Sequence, residues 1–302
     1  MSLSRILAIL CLLFLPVLSE PARGDVPRTG SRIMAESLRR QGLYLYVYEE
    51  LTVILTDRAG NREVRKARRF SRIEEDGSKK SLLVFDTPPE IRGVALLAES
   101  SPSGPWKWSL YLPAFGKKLI SYDGRAGGGR FLGTDFSVMD LIPEVLSDFR
   151  YARGSDQKIN LVPCYVVEAL PRDREVERAT GCSLHRNFLR KDNFFLIRTD
   201  YFDRHGRFFK RRTFHDLKRV DGDMWHADMI LMENTRERHM TIIKVDRRVL
   251  SRDYVPPEIF TPSWLLENRH IPSSERLPLR EGSPFGQGPA GPAADGPERE
   301  NR

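Results

Sequence analysis

LYLYVYEELTVILTDRAGNREVRKARRFSRI, residues 43–73, changes sides with every residue over its first half. Leu43, Leu45, Val47, Leu51, Val53 and Leu55 alternate with Tyr44, Tyr46, Tyr48, Glu50 and Thr52, the period of a strand that buries one face and wets the other. DRAGN (57–61) supplies turn residues, and the basic segment from Arg62 to Ile73 returns alongside. The stretch therefore predicts an antiparallel hairpin.

Working outward, the same grammar repeats. EEDGS (74–78) turns into SLLVF (81–85), VALLA (94–98) follows, and SPSGP (101–105) closes the next hairpin. In WKWSLYLP (106–113), Trp106, Trp108, Leu110 and Leu112 share a face, while Lys107, Ser109 and Tyr111 share the other. LISY (119–122) leads into the glycine-rich GRAGGGR (124–130). FSVMDLIPEVLSDF (136–149) then reads as helical, interrupted at Pro143. Strands resume at 159–170, 194–201, 207–217, 224–232 and 240–245, with turns at DRHG (203–206) and DGD (221–223). On the N-terminal side, SRIMAESLRRQ (31–41) has helical spacing and stops at Gly42. The expectation is a mainly β fold: an antiparallel half-open barrel of about ten to eleven strands, its open side capped by short helices.

The ends read differently. Arg5 precedes an apolar run over 6–18, shorter than the roughly 20 residues a membrane-spanning helix needs, and small residues follow at Val17 with Ser19 and Ala22 with Gly24. Residues 1–24 are read as a cleaved signal peptide that removes Cys11, leaving one domain over 25–270 outside the cytoplasm. Residues 271–302 are rich in Pro, Gly, Ser and charge, and are expected to be disordered. The net charge of +8 is spread through segments such as VRKARRF (64–70) and FFKRRTF (208–214). It suits the wet face of a sheet, or in an exported protein anionic headgroups, rather than nucleic acid. Cys164 and Cys182 are candidates for a disulfide that would tie down a loop.

Motifs for catalysis are missing. The six histidines show no H-E-x-x-H spacing, no G-x-S-x-G occurs, and GRAGGGR lacks the G-K-[ST] ending of a phosphate-binding loop and reads better as a hinge. Asp135, Asp140, Glu144 and Asp148 surround the mid-chain helix, where carboxylates ordinarily cap and complement the dipole. No catalytic residue, metal or cofactor is expected.

Three ordered stretches carry a resemblance: WSLYLPAFGKKLISYDGRAGGGRFLGTDFSVMDL (108–141), FHDLKRVDGDMWHADMILMENTRERHMTIIKVD (214–246) and VPPEIFTPSWLLE (255–267). With LTDRAGNREVRKARRF (55–70) and SLLVFDTPPEIRGVALL (81–97), they resemble a broad branch of the LolA-type outer-membrane lipoprotein-sorting protein family of bacterial envelopes. The resemblance implies a half-closed antiparallel barrel under helices, with an apolar cavity that takes acyl chains of lipoprotein or lipid and carries them through the periplasm, and no enzyme activity. It also implies a monomer with an inner-membrane exporter and an outer-membrane acceptor as partners. The family's lid-ordering cation cannot be placed by any motif here. The GRAGGGR expansion and an insertion over 171–193 depart from the family pattern.

Taken face by face, such a cavity would be lined by Leu45, Val47, Leu51 and Val53, by Trp106, Trp108, Leu110 and Leu112, and by Trp225, Met229 and Leu231. Its lid would be Phe131, Phe136, Met139, Leu141 and Ile142. The same side chains could instead pack on one another as an ordinary core. The rival function is an envelope interaction module, a stress sensor or an accessory subunit of an exporter, that uses the cavity to read a signal or dock a partner.

Overall fold

The computed structural model describes residues 29–102, 106–116, 118–123 and 129–271. The signal peptide expected over 1–24, the tail beyond 271 and most of GRAGGGR lie outside the described residues. Among the described residues no helix is long and apolar enough to cross a membrane.

The chain starts with helix α1 (Gly30–Gln41), where the Thr29 hydroxyl accepts from Arg32 N at 3.3 Å and Gly42 ends the last turn. Six strands follow: β1 (Tyr46–Thr56), β2 (Arg62–Ile73), β3 (Lys79–Thr87), β4 (Ala95–Ser100), β5 (Trp106–Leu112) and β6 (Lys118–Asp123). A connecting segment contains the single turn α2 (Val138–Leu141). Next come β7 (Phe149–Arg153), β8 (Gln157–Ile159), β9 (Val162–Pro171), helix α3 (Arg174–Thr180), β10 (Leu184–Arg190), β11 (Leu196–Phe202), β12 (Phe208–Asp221), β13 (Met224–Asn234) and β14 (His239–Val249). Helix α4 (Pro262–Leu266) closes the described chain.

All the strands belong to one 14-stranded antiparallel sheet in the order β6-β5-β4-β3-β2-β1-β14-β13-β12-β11-β10-β9-β7, with β8 paired to β9. The order explains the architecture. The first meander walks outward from the centre and the second walks back to it, so β1 and β14 meet in the middle and β6 and β7 are left as edges. The chain between those edges must cross the open side, so topology itself makes the segment after β6 a cover.

Each face has its own packing. On the concave side, Leu51, Val53, Phe85, Leu96 and Trp108 pack with Phe131, Phe136 and Ile142 of the crossing segment, and α1 sets Ile33 and Met34 against Tyr165, Val167 and Leu189. Gly30 permits the close approach of α1 to β7, because a Cβ there would sit 3.0 Å from the Ala152 carbonyl carbon. On the convex side the C-terminal segment covers the first meander, with Val255, Ile259, Phe260 and Leu265 against Leu82, Val84, Leu97 and Tyr111.

The half-open barrel read from the sequence is present, with more strands than expected. The presumed insertion over 171–193 is built into the sheet: it holds α3 and β10, and β10 pairs with both β9 and β11. Of the expected mid-chain helix only Val138–Leu141 is α-helical, because Pro143 follows within two residues; Leu146–Asp148 form a short 3-10 turn and Phe149 opens β7. The expected disulfide is absent. Cys164 and Cys182 are both free and buried, and the sheet separates them: Cys164 packs with Val166 and Phe188, whereas Cys182 belongs to the concave core with Tyr201 and Met232.

Candidate functional site

The concave face is a trough whose two ends differ. Under the crossing segment it is apolar, lined by Leu51, Val53, Leu83, Phe85, Leu96, Ala98 and Ile243 from the sheet. Phe131, Thr134, Phe136, Leu141 and Ile142 close it from above, and Arg69 and Ser81 are its polar margin. With this lid seated, the remaining cavity is about 30 Å³, room for a water molecule or two and not for an acyl chain.

The lid is anchored by a few polar contacts at its ends. Arg65, buried on β2, donates from Nη1 to the Leu132 carbonyl at 2.7 Å. Asp135 accepts from the Thr241 hydroxyl at 2.7 Å and meets His239 Nδ1 at 2.6 Å, while its own amide donates to Thr241 Oγ1 at 2.9 Å. Asp140 forms a capping box with Ser137 and accepts from Lys210 Nζ at 2.8 Å. Burial alone would raise the Asp140 carboxyl, but Lys210 and Arg212 outweigh it and hold the group well below the usual carboxylate range. Trp106 donates from Nε1 to the Pro143 carbonyl at 3.0 Å. Everything between these anchors is apolar contact.

Beyond Ile243 the trough becomes polar. Two cross-strand rows share the concave face: Asn187, Thr199 and Arg212, then His185, Tyr201 and Lys210. Thr199 Oγ1 donates to Asn187 Oδ1 at 2.9 Å, and burial pushes His185 down to about 3, which keeps it neutral. The Tyr151 hydroxyl donates to Glu144 at 2.7 Å. Burial raises the Glu144 carboxyl, Asp148 adding to the effect and Tyr151 and Arg212 opposing it. At the seam of the two meanders Glu49 is 1% exposed, paired with Arg69 and with Arg248, which also reaches Asp228 at 2.7 Å. Desolvation would raise the Glu49 carboxyl, but the two arginines hold it below its usual value.

Measured against the expected lining, Leu51 and Val53 are in place. Val47 is buried on the same face, Trp106 and Trp108 are buried in the same cluster, and Leu110 and Leu112 pack at its edge. Leu45 is not a lining residue: it precedes β1 and is 50% exposed. Trp225, Met229 and Leu231 point away from the trough, because β13 turns Ile230 and Met232 inward instead. That strand is apolar on both faces, so alternation does not reveal which face is buried, and a one-residue shift exchanges the faces. Of the residues expected in the lid, Phe131, Phe136, Leu141 and Ile142 line the cavity and Met139 packs beside them. Arg65 and Arg69 are trough residues that the search for apolar positions passes over. Counting across DRAGN finds them, since the hairpin register sets Arg65 opposite Val53 and Ala67 opposite Leu51.

Comparison with known proteins follows this geometry. A family model described as that of an uncharacterized protein matches residues 77–267. An outer-membrane lipoprotein-sorting protein domain from Vibrio parahaemolyticus is 24% identical with a TM-score of 0.72, over 78% of this chain and 98% of its own. A DUF1329 family protein from Desulfovibrio piger is 22% identical with a TM-score of 0.70, over 78% and 97%. A LolA superfamily protein from Nitrosomonas europaea is 16% identical with a TM-score of 0.61, over 78% and 99%. These likenesses share the open antiparallel sheet described above. Among proteins of curated description none matches the chain.

Proposed function

The chain belongs to the family whose model, described as that of an uncharacterized protein, matches residues 77–267, and from its fold, shared with a LolA superfamily protein, we propose that it is a periplasmic carrier, not an enzyme, that takes acyl chains of a lipoprotein or lipid under the lid and moves them toward the outer membrane. The observation that supports this reading most is the construction of the lid. Phe131, Phe136, Leu141 and Ile142 occupy an apolar trough as side chains of a segment that only crosses between two sheet edges. Each buried apolar side chain of this size is worth about 1.5–3 kcal/mol, so an acyl chain that takes their place exchanges one apolar contact for another. Uptake is then a near-balanced swap that releases the cargo as readily as it accepts it.

Binding in this scheme is non-covalent and selects the lid-open form. Lifting the lid breaks the anchors at Leu132, Asp135 and Asp140, all of which water can satisfy. The test is native mass spectrometry of the protein after incubation with vesicles of acyl lipids. A one-to-one adduct with an acyl lipid is expected, and a chain that extracts none under any condition overturns the reading. Replacing Leu96 with Trp, which fills the trough, should abolish the adduct while the sheet still folds.

A further inference from the structure

The polar end of the trough holds buried polar atoms that the fold leaves unpaired. Arg212 Nε, His185 Nε2 and Asn187 Nδ2 are buried and have no hydrogen-bond partner among the described residues, although buried polar groups are nearly always paired. His185 is 8% and Asn187 2% exposed. Arg212 forms no ion pair among the described residues: its guanidinium lies 5.2 Å from the centre of Phe214 and 5.9 Å from that of Tyr201, and its charge acts on the carboxylates of Asp140 and Glu144 without direct contact. Lys210, on the neighbouring row, has the lid's Asp140 as its partner at 2.8 Å. When the lid lifts, Asp140 leaves and both cations lose its carboxylate on the concave face, beside the unpaired Nδ2 of Asn187.

The register gives the distance to the apolar end. Arg212 pairs with Met232, which pairs with Thr241, two residues from the cavity-lining Ile243. Two strand spacings with two residues along the strand come to about 12 Å, within the reach of an amphiphile whose chain lies at the apolar end and whose headgroup lies at the polar one. We propose that Arg212 and Lys210, with Asn187 beside them, form a headgroup site for an anionic amphiphile: its acyl chain lies against Leu51 and Phe85, and its phosphate or carboxylate replaces the carboxylate of Asp140. This assignment rests on the carrier reading and adds the charge of the cargo to it. A guanidinium fork suits such an oxyanion better than an ammonium does.

The test compares dioleoyl phosphatidylglycerol, which is anionic, dioleoylglycerol, which has the same chains and no charge, and inorganic phosphate alone. Binding to the purified protein is read by native mass spectrometry. Charge-assisted hydrogen bonds predict about tenfold tighter binding of the anionic lipid. Arg212→Gln should bring the ratio of the two lipids toward one, and Arg212→Lys should keep part of it. Asn187→Ala, measured the same way, serves if Arg212→Gln does not fold, and should lower the ratio by a smaller factor. Equal binding of both lipids by the unaltered protein, or a ratio that none of these variants moves, overturns the headgroup site and leaves the carrier reading standing. Binding of neither lipid overturns both. Phosphate alone binding as tightly as the lipid would make the site one for a free anion and overturn the amphiphile.

Discussion

The two meanders present the same concave surface with opposite chemistry. From β1 to β5 it carries Leu51, Val53, Leu83, Phe85 and Leu96, with Arg69 and Ser81 at the margin, and the side chains laid on it are apolar apart from Thr134. From β10 to β12 it carries Asn187, Thr199, Tyr201, Lys210 and Arg212, and the lid answers with a carboxylate, Asp140. An apolar surface accepts any occupant of adequate length, whereas fixed donors accept only an occupant of the right charge. The difference teaches that apolar and charged surfaces are separated along one sheet, and that the lid meets the apolar part with apolar side chains and the cations with a carboxylate.

The strongest way to break this comparison is at the seam. Glu49→Ala leaves Arg69 and Arg248 facing each other without the carboxylate that separates them, and urea denaturation should show a loss of about 3–5 kcal/mol. Within the halves the responses should diverge. Phe85→Ala, in the apolar half, is expected to lower stability by about 3 kcal/mol through lost burial and the cavity it leaves. Asn187→Leu, in the polar half, should cost less, about 1–2 kcal/mol, since it removes the acceptor of the Thr199 hydroxyl but also an Nδ2 that is already unpaired. Equal effects at the two positions would remove the distinction between the halves.

Smaller effects fall on the lid. Asp140→Asn weakens its contact with Lys210 and should speed amide exchange across Val138–Leu141 by about tenfold, a change of some 1.4 kcal/mol in local opening. Because the folded Asp140 carboxyl lies far below its unfolded value of about 4, the stability it contributes is present above that value and is lost only as pH falls through the folded one. The free energy of lid opening, taken from exchange rates corrected for their intrinsic pH dependence, should therefore be unchanged between pH 7 and pH 5. Glu144 has the opposite sign: its folded carboxyl is raised, so ionisation destabilises the fold above the unfolded value, and the penalty disappears in acid. Glu144→Gln should raise stability slightly at pH 7, by up to about 1 kcal/mol, with no gain below about pH 4.

Much of this fold is legible in the amino-acid sequence. The β1–β2 hairpin follows from strict alternation and the DRAGN turn, and the basic strand from Arg62 to Ile73 has the limits expected of it. The lid is legible because Phe131, Phe136, Leu141 and Ile142 cluster after a glycine-rich stretch. The rest escapes for physical reasons. Leu45 continues the alternation past the point where pairing to a neighbour begins, so its period is right and its burial is not. β10 is hidden because two of the three inner positions, His185 and Asn187, are polar, and only Leu189 follows the apolar pattern. Cys164 and Cys182 look pairable because sequence distance says nothing about which side of a sheet each occupies. The inward direction of Arg212 is unreadable in FFKRRTF, where cations fall on both faces.

The central claim is that an acyl chain takes the place of the lid, and hydrogen exchange of the lid amides tests it most directly. The amides of Phe131, bonded to the Phe136 carbonyl at 2.7 Å, and of Asp135, bonded to Thr241 at 2.9 Å, are followed with and without dioleoyl phosphatidylglycerol. The account predicts that lipid speeds exchange over 131–142 while β1 to β5 stay protected. Lid amides that keep their protection while lipid binds would place the chain elsewhere and contradict it.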